Sequence, residues 1–164
     1  MQDEWKYLPH KGGVLEDAEL RVLLAEDNPK DVTVFRSVAR RGDLLIALQV
    51  VHDGETALDF LYRRGQWSEV WRPDFVVLNI NMPKLNGWEV LKAMKSAPDL
   101  RTIPVAMWTI ADPAYADYAA RSFEMGCSCG FSKPHAIQDM QSQVRTMLEY
   151  HYHSWRYPRN CGSK

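Results

Sequence analysis

Phe75-Val76-Val77-Leu78-Asn79-Ile80-Asn81-Met82-Pro83-Lys84-Leu85-Asn86-Gly87 decides the reading of this chain. Four apolar residues run without a break, as in a strand covered on both faces of a sheet. Amides follow at once. Asn86 with Glu89 three residues on reads as a capping box, opening a helix that carries Val90, Leu91 and Met94. A buried strand, a short loop and a capped helix make one β-α unit.

The same unit recurs on both sides. Arg21–Ala25, Leu45–Val51, Phe75–Leu78, Pro104–Trp108 and a stub at Gly130–Phe131 read as strands. Asn28 is a cap candidate before Pro29, and Gly42 stands where that helix would end. Asp53 precedes a helix with Ala57, Phe60 and Leu61 inward, closed by Gly65. Asp112-Pro113 opens a fourth helix and Gly126 closes it. Ile137, Met140, Val144 and Leu148 lie on one face of a fifth. Strand-helix alternation with short loops predicts a doubly wound α/β fold: a (βα)5 parallel five-stranded sheet of flavodoxin-like topology. Residues 1–19 read as an N-terminal extension, 20–150 as the domain and 151–164 as an aromatic C-terminal tail. Too few residues follow position 150 to bury another core, so no DNA-binding output module is expected.

Composition fits one globular unit. The 164 residues are 46% hydrophobic and 25% charged, with 20 basic and 21 acidic residues for a net charge of -1. No basic field points to nucleic acid. No apolar run is long enough to span a bilayer, and the acids in Met1-Gln2-Asp3-Glu4 do not suit a signal peptide. Three cysteines, an odd and low count, argue against a disulfide framework and suit the cytoplasm.

In an open parallel sheet, ligands bind beyond the carboxyl ends of the strands. Those positions hold Glu26 and Asp27 after the first strand, Asn79, Ile80 and Asn81 after the third, Thr109 at the fourth, and Lys133-Pro134 after the fifth. Adjacent carboxylates call for a cation, and Mg²⁺ held by a carboxylate, a backbone oxygen and water would serve. Lysine and threonine would then face an anion on that metal. Trp108 sits beside this pocket. A resting salt link between Lys133 and Asp27 is expected.

Leu23-Leu24-Ala25-Glu26-Asp27-Asn28-Pro29, Asp53-Gly54-Glu55-Thr56-Ala57-Leu58, the stretch from Leu78 to Gly87, Thr109 and Ser132-Lys133-Pro134 resemble the receiver domain of two-component response regulators. More narrowly, three features resemble the single-domain regulators associated with bacterial and cyanobacterial phytochromes. They are Asn28-Pro29-Lys30-Asp31, a long second helix running from Phe60-Leu61 to Gly65-Gln66-Trp67, and the Asn81-Met82-Pro83-Lys84 loop. The resemblance covers roughly residues 20–150. It implies a sensor histidine kinase, of phytochrome type, as partner, with an aspartate at the position of Asn79 as phosphoacceptor. It also implies Mg²⁺ on Asp27, the acceptor position and the backbone carbonyl of Asn81, phosphoryl contacts from Thr109 and Lys133, and a switch aromatic at the position of Gly130.

Two departures follow. A carboxamide at Asn79 cannot form an acyl phosphate, and it offers Mg²⁺ one anion fewer, so metal binding should be weak. Gly130 has no side chain to swing. The expectation is a pseudo-receiver that docks a kinase or dimerises and is not an enzyme. Asn79 is either native or a replacement in an ordinary phosphorylatable regulator, and Gly130 favours the first. A flavodoxin-like electron carrier is the distant alternative, though Glu26-Asp27 would repel its phosphate. A metal-dependent phosphohydrolase would need the carboxylate nucleophile that Asn79 lacks.

Other features weigh less. Val32, Phe35 and Arg36 are candidate kinase contacts. Tyr115, Tyr118, Tyr150, Tyr152, Trp155 and Tyr157 suit a homodimer interface, against folding back on the domain. Cys127 and Cys129 read as buried thiols rather than ligands. Cys161 reads as an exposed thiol, and His151 with His153 as at most a weak metal pair.

Overall fold

Both faces of the first strand are apolar, so it must be covered on both sides. Leu20, Val22 and Leu24 enter one core and Leu23 and Ala25 the other. A computed structural model describes residues 19–41, 43–110 and 118–156. Strands β1 (Leu20–Ala25), β2 (Ile46–Val51), β3 (Phe75–Leu78), β4 (Val105–Ile110) and β5 (Cys129–Lys133) form one parallel sheet in the order β2-β1-β3-β4-β5. Helices α1 (Pro29–Arg41) and α5 (Ile137–Arg156) cover one face, and α2 (Gly54–Leu61) and α3 (Gly87–Ser96) the other. Helix α4 (Tyr118–Glu124) lies along β5. This is the expected doubly wound fold. The chain leaves β1 for β2 on one side and reaches β3 on the other, so the switch point opens between the ends of β1 and β3.

Local chemistry fixes the helix starts. Asn28 Oδ1 accepts from the Lys30 amide at 3.0 Å, and Asp53 accepts from the Thr56 amide at 2.7 Å. The Asn86–Glu89 capping box is present in full. Gly126 follows α4 with φ 81°, a left-handed position that suits glycine. Gly42, Asp112 and Pro113 lie outside the described residues.

Four boundaries differ from expectation. β4 runs on through Ile110, and β5 is a full strand rather than a stub at Gly130–Phe131. Helix α2 stops at Leu61 instead of reaching Trp67: Arg63 takes φ 53°, and a 3₁₀ turn covers Gly65–Trp67. Trp67 and Trp71 then pack edge-on to Phe60, each with centroids 5.2 Å apart. Ile137 is 62% exposed, because the inward stripe of α5 is Met140, Val144, Met147 and Leu148. The boundary expected at residue 150 falls inside α5, which continues to Arg156.

That continuation is core, not tail. Tyr152 is buried and Trp155 packs on the α1 side of the sheet. His151 is buried too. Its ring stacks on Phe75 at 3.6 Å with 20° between planes, and the Cys129 thiol lies 3.8 Å from its Nε2. It is therefore no partner for His153 in a metal pair. Burial pushes the imidazole pKa down to about 4. The folded state holds His151 neutral while the unfolded chain takes a proton below its ordinary pKa near 6.5, so this stability is lost as pH falls from about 6.5 toward 4. His151→Phe keeps an aromatic against Phe75 without the proton. In urea unfolding it should lose about 2 kcal/mol less than the unaltered chain between about pH 7 and pH 5. Equal losses would show that the imidazole is hydrated in the folded state.

Candidate functional site

The end of β1 carries the burial problem around which the site is built. Glu26 is fully buried. Its amide donates to Val51 O at 2.9 Å, which sets the carboxylate under the loop after β1. One oxygen, Oε2, accepts from Lys133 Nζ at 2.5 Å; the other, Oε1, accepts from the Asn28 amide at 3.0 Å and from Asn79 Nδ2 at 3.1 Å. Burial nonetheless pushes the Glu26 pKa up to about 7.

Lys133, at the end of β5, is itself buried and makes a second bond, to Asp31 Oδ2 at 2.9 Å. Its ammonium also stands 4.7 Å from the Trp108 ring centroid, so Trp108 does border the pocket. The Trp108 indole is held by Gln143 Oε1 at 2.8 Å and lies edge-on to Phe35. The expected Lys133–Asp27 link is therefore replaced by bonds to Glu26 and Asp31. Asp31, buried in the first turn of α1, is the residue that sequence reasoning missed. Its signal is an acid four residues before Phe35, on the inward face of the helix.

Asn79 closes the other side. Its amide N–H donates to Ala25 O at 2.9 Å, and its own carbonyl lies against Gly87. A Cβ at Gly87 would stand 2.2 Å from Asn79 O, so only glycine lets α3 start here. The Asn79 side chain is 6% exposed. Its Nδ2 faces Glu26 Oε1, Asp27 Oδ1 at 3.0 Å and Asn81 O at 3.0 Å. Three acceptors surround it, which fixes the nitrogen on that side. Asp27 and Asn81 are exposed at the rim. Thr109 is buried at the end of β4, in register with Ser132 beside Lys133.

A magnesium ion on Asp27, Asn79 and the Asn81 carbonyl would need an oxygen from Asn79. As they stand these residues do not fit one, because the amide nitrogen points at the same oxygens the ion would use. Any Mg²⁺ must first displace it. Among the described residues no group of three or more His, Cys, Asp or Glu is placed to hold a metal.

The loop after β3 is clamped to α2. Gly54 donates to Pro83 O at 3.4 Å, and a Cβ on Gly54 would meet Leu85 O at 2.0 Å. Lys84, at φ 66°, reaches Asp53 at 3.0 Å.

The remaining candidates separate. Gly130 is an exposed residue of β5 paired with Met107. Val32 and Phe35 are buried in the core, so of the three expected kinase contacts Arg36 alone reaches the surface. Tyr152 is buried in its own domain and Trp155 is half-buried against it, while Tyr150 is exposed. Tyr118 opens α4, and Tyr115, Tyr157 and Cys161 lie outside the described residues. Cys127 and Cys129 are free thiols, and Cys127 donates to Val105 O at 3.0 Å.

A parallel five-stranded sheet with acids and an amide at its switch point and a lysine at the end of its last strand is the layout of a phosphorelay receiver. Residues 22–145 match the response regulator receiver domain, and the chain belongs to that family. Response regulator Rcp1 of Synechocystis sp. is 31% identical over 124 residues, covering 76% of this chain and 83% of Rcp1. The crystal structure of the phosphorylated cyanobacterial phytochrome response regulator RcpA superposes with a TM-score of 0.76 at 27% identity, covering 81% of this chain and 94% of RcpA. The Mn²⁺-bound form of Rcp1 gives 0.76 at 29% identity, over 80% of this chain and 94% of that one. The chain is thus a two-component receiver domain related to phytochrome response regulators. No helix among the described residues is long and apolar enough to cross a membrane.

Lys133→Ala would leave two buried carboxylates without their cation. It should lower stability by about 3–5 kcal/mol in urea unfolding. A loss below about 1 kcal/mol would mean that water screens the pair.

Proposed function

We propose that this chain is a pseudo-receiver: a non-enzymatic cytoplasmic signalling module that docks a sensor histidine kinase of phytochrome type and takes no part in aspartyl phosphotransfer. The observation that carries this reading is Asn79, at the end of β3, where the family's phosphoacceptor aspartate is expected. A phosphoryl acceptor needs a charged oxygen. Here that place holds a carboxamide engaged with three acceptors. The partner is argued from the relatives, since RcpA is described as a phytochrome response regulator. Any Mg²⁺ binding at Asp27, Asn79 and Asn81 would be weak, because the amide must first be turned away from the oxygens the ion would use.

The second reading is a phosphorylatable regulator whose acceptor has been replaced. It is favoured by the parts that remain: Asp27 at the rim, Thr109 at the end of β4 and Lys133 on Glu26. It gives no account of Gly130. Incubation with acetyl phosphate and Mg²⁺, followed by intact mass, should give no covalent adduct. Asn79→Asp should gain one phosphoryl group if the surrounding pocket is still competent. An adduct on the unaltered chain would defeat the pseudo-receiver.

Homodimerisation belongs to the same reading, and Phe123 of α4 and Tyr150 of α5, exposed at 80% and 67%, are apolar surface that a second copy would cover. Phe123→Asp should shift sedimentation toward monomer. Unchanged sedimentation would place the dimer elsewhere or rule it out.

A further inference from the structure

The acidic pocket at the switch point has a positive occupant built into the chain. We propose that the Asn79 carboxamide is a permanent stand-in for the divalent cation, holding Glu26, Asp27 and the Asn81 carbonyl together so that the pocket is closed and indifferent to Mg²⁺. This rests on the reading of Asn79 as a non-acceptor and adds what the amide does there.

The geometry is that of a donor at the centre of an acceptor cluster. Nδ2 lies 3.0 Å from Asp27 Oδ1, 3.0 Å from Asn81 O and 3.1 Å from Glu26 Oε1. An amide nitrogen carries two hydrogens and the positive end of the group dipole, so it can serve three oxygens with one bond shared. Two of these oxygens come from the loop after β1 and one from the loop after β3. One side chain thus ties both loops of the switch point. Turning the carboxamide would break all three bonds and bring its oxygen against two carboxylates.

The amide is also held in place from behind. Asn79 N–H is bonded to Ala25 O, and its carbonyl is packed against Gly87, so the backbone cannot withdraw to admit an ion alongside. The side chain is 6% exposed. Lysine completes the neutralisation: Lys133 takes the second oxygen of Glu26 and, with it, Asp31. Each carboxylate of the cradle therefore has a donor from the chain itself. A pocket with an aspartate in place of Asn79 would hold three carboxylates at the same point and would need a cation to stay closed.

Thermal unfolding of the full chain, without and with about 10 mM MgCl₂ and with no phosphoryl donor, tests this. The unaltered chain should shift by less than about 1 °C. Asn79→Ala removes the donor without adding charge; it should melt lower without metal and gain about 3 °C or more from Mg²⁺. If only the ligand missing at position 79 kept the ion out, Asn79→Ala would be as unresponsive as the parent, and that result overturns the proposal. So does a parent that Mg²⁺ stabilises as much as it stabilises Asn79→Asp. Should Asn79→Ala not fold, Mn²⁺ titration followed by electron paramagnetic resonance compares the parent with Asn79→Asp. Binding at least about tenfold weaker in the parent supports the stand-in, and equal affinity overturns it. A chain that binds Mg²⁺ well yet takes no phosphoryl group keeps its pseudo-receiver function and loses this inference. One that is phosphorylated but Mg²⁺-indifferent does the reverse.

Discussion

A carboxylate with no access to water must be given donors by the protein, and Glu26 is such a carboxylate. Everything around the switch point answers that requirement. The ammonium of Lys133 arrives from β5, the amide of Asn28 from the start of α1, and the carboxamide of Asn79 from β3. Three distant segments are brought together by one buried charge. Asp31 adds a second anion to the same ammonium, which ties the first turn of α1 to the last strand. The indole of Trp108 lies beside that ammonium and keeps water from it on one side.

Set against the relatives, the chain keeps the frame of a receiver. RcpA has been crystallised phosphorylated and Rcp1 with Mn²⁺. In this chain the end of β3 presents the Asn79 carboxamide, whose nitrogen meets three acceptors. Gly130 sits exposed in β5, paired with Met107.

The sheet was legible because buried parallel strands leave a plain mark. Phe75–Leu78 and the even and odd residues of β1 are apolar on both faces, and the caps at Asn28, Asp53 and Asn86 announce the helices between. The strand-end rule then placed Glu26, Asp27, Asn79 and Lys133 together. What stayed hidden was pairing, since a lysine beside several carboxylates has no sequence code for which it will choose. Asp31 enters the sequence reading only within the Asn28–Asp31 motif, although its place on the stripe of Phe35 points inward. Val32 and Phe35, read as candidate kinase contacts, belong to the apolar stripe that α1 turns to the sheet, and that stripe is itself a sequence signal for burial. The aromatics after Tyr150 were ambiguous because interface and core draw on the same residue types, and only the continuing turn of α5 put Tyr152 and Trp155 inside.

Helix α5 does more than cover the sheet. With His151 stacked on Phe75 of the central strand β3 and Trp155 lodged against the same layer, its last two turns act as a wedge driven into the domain. A force or torque applied at this end of the described chain would not be taken up by a slack tether. It would reach the root of β3, the strand whose tip bears Asn79, through rigid aromatic contact.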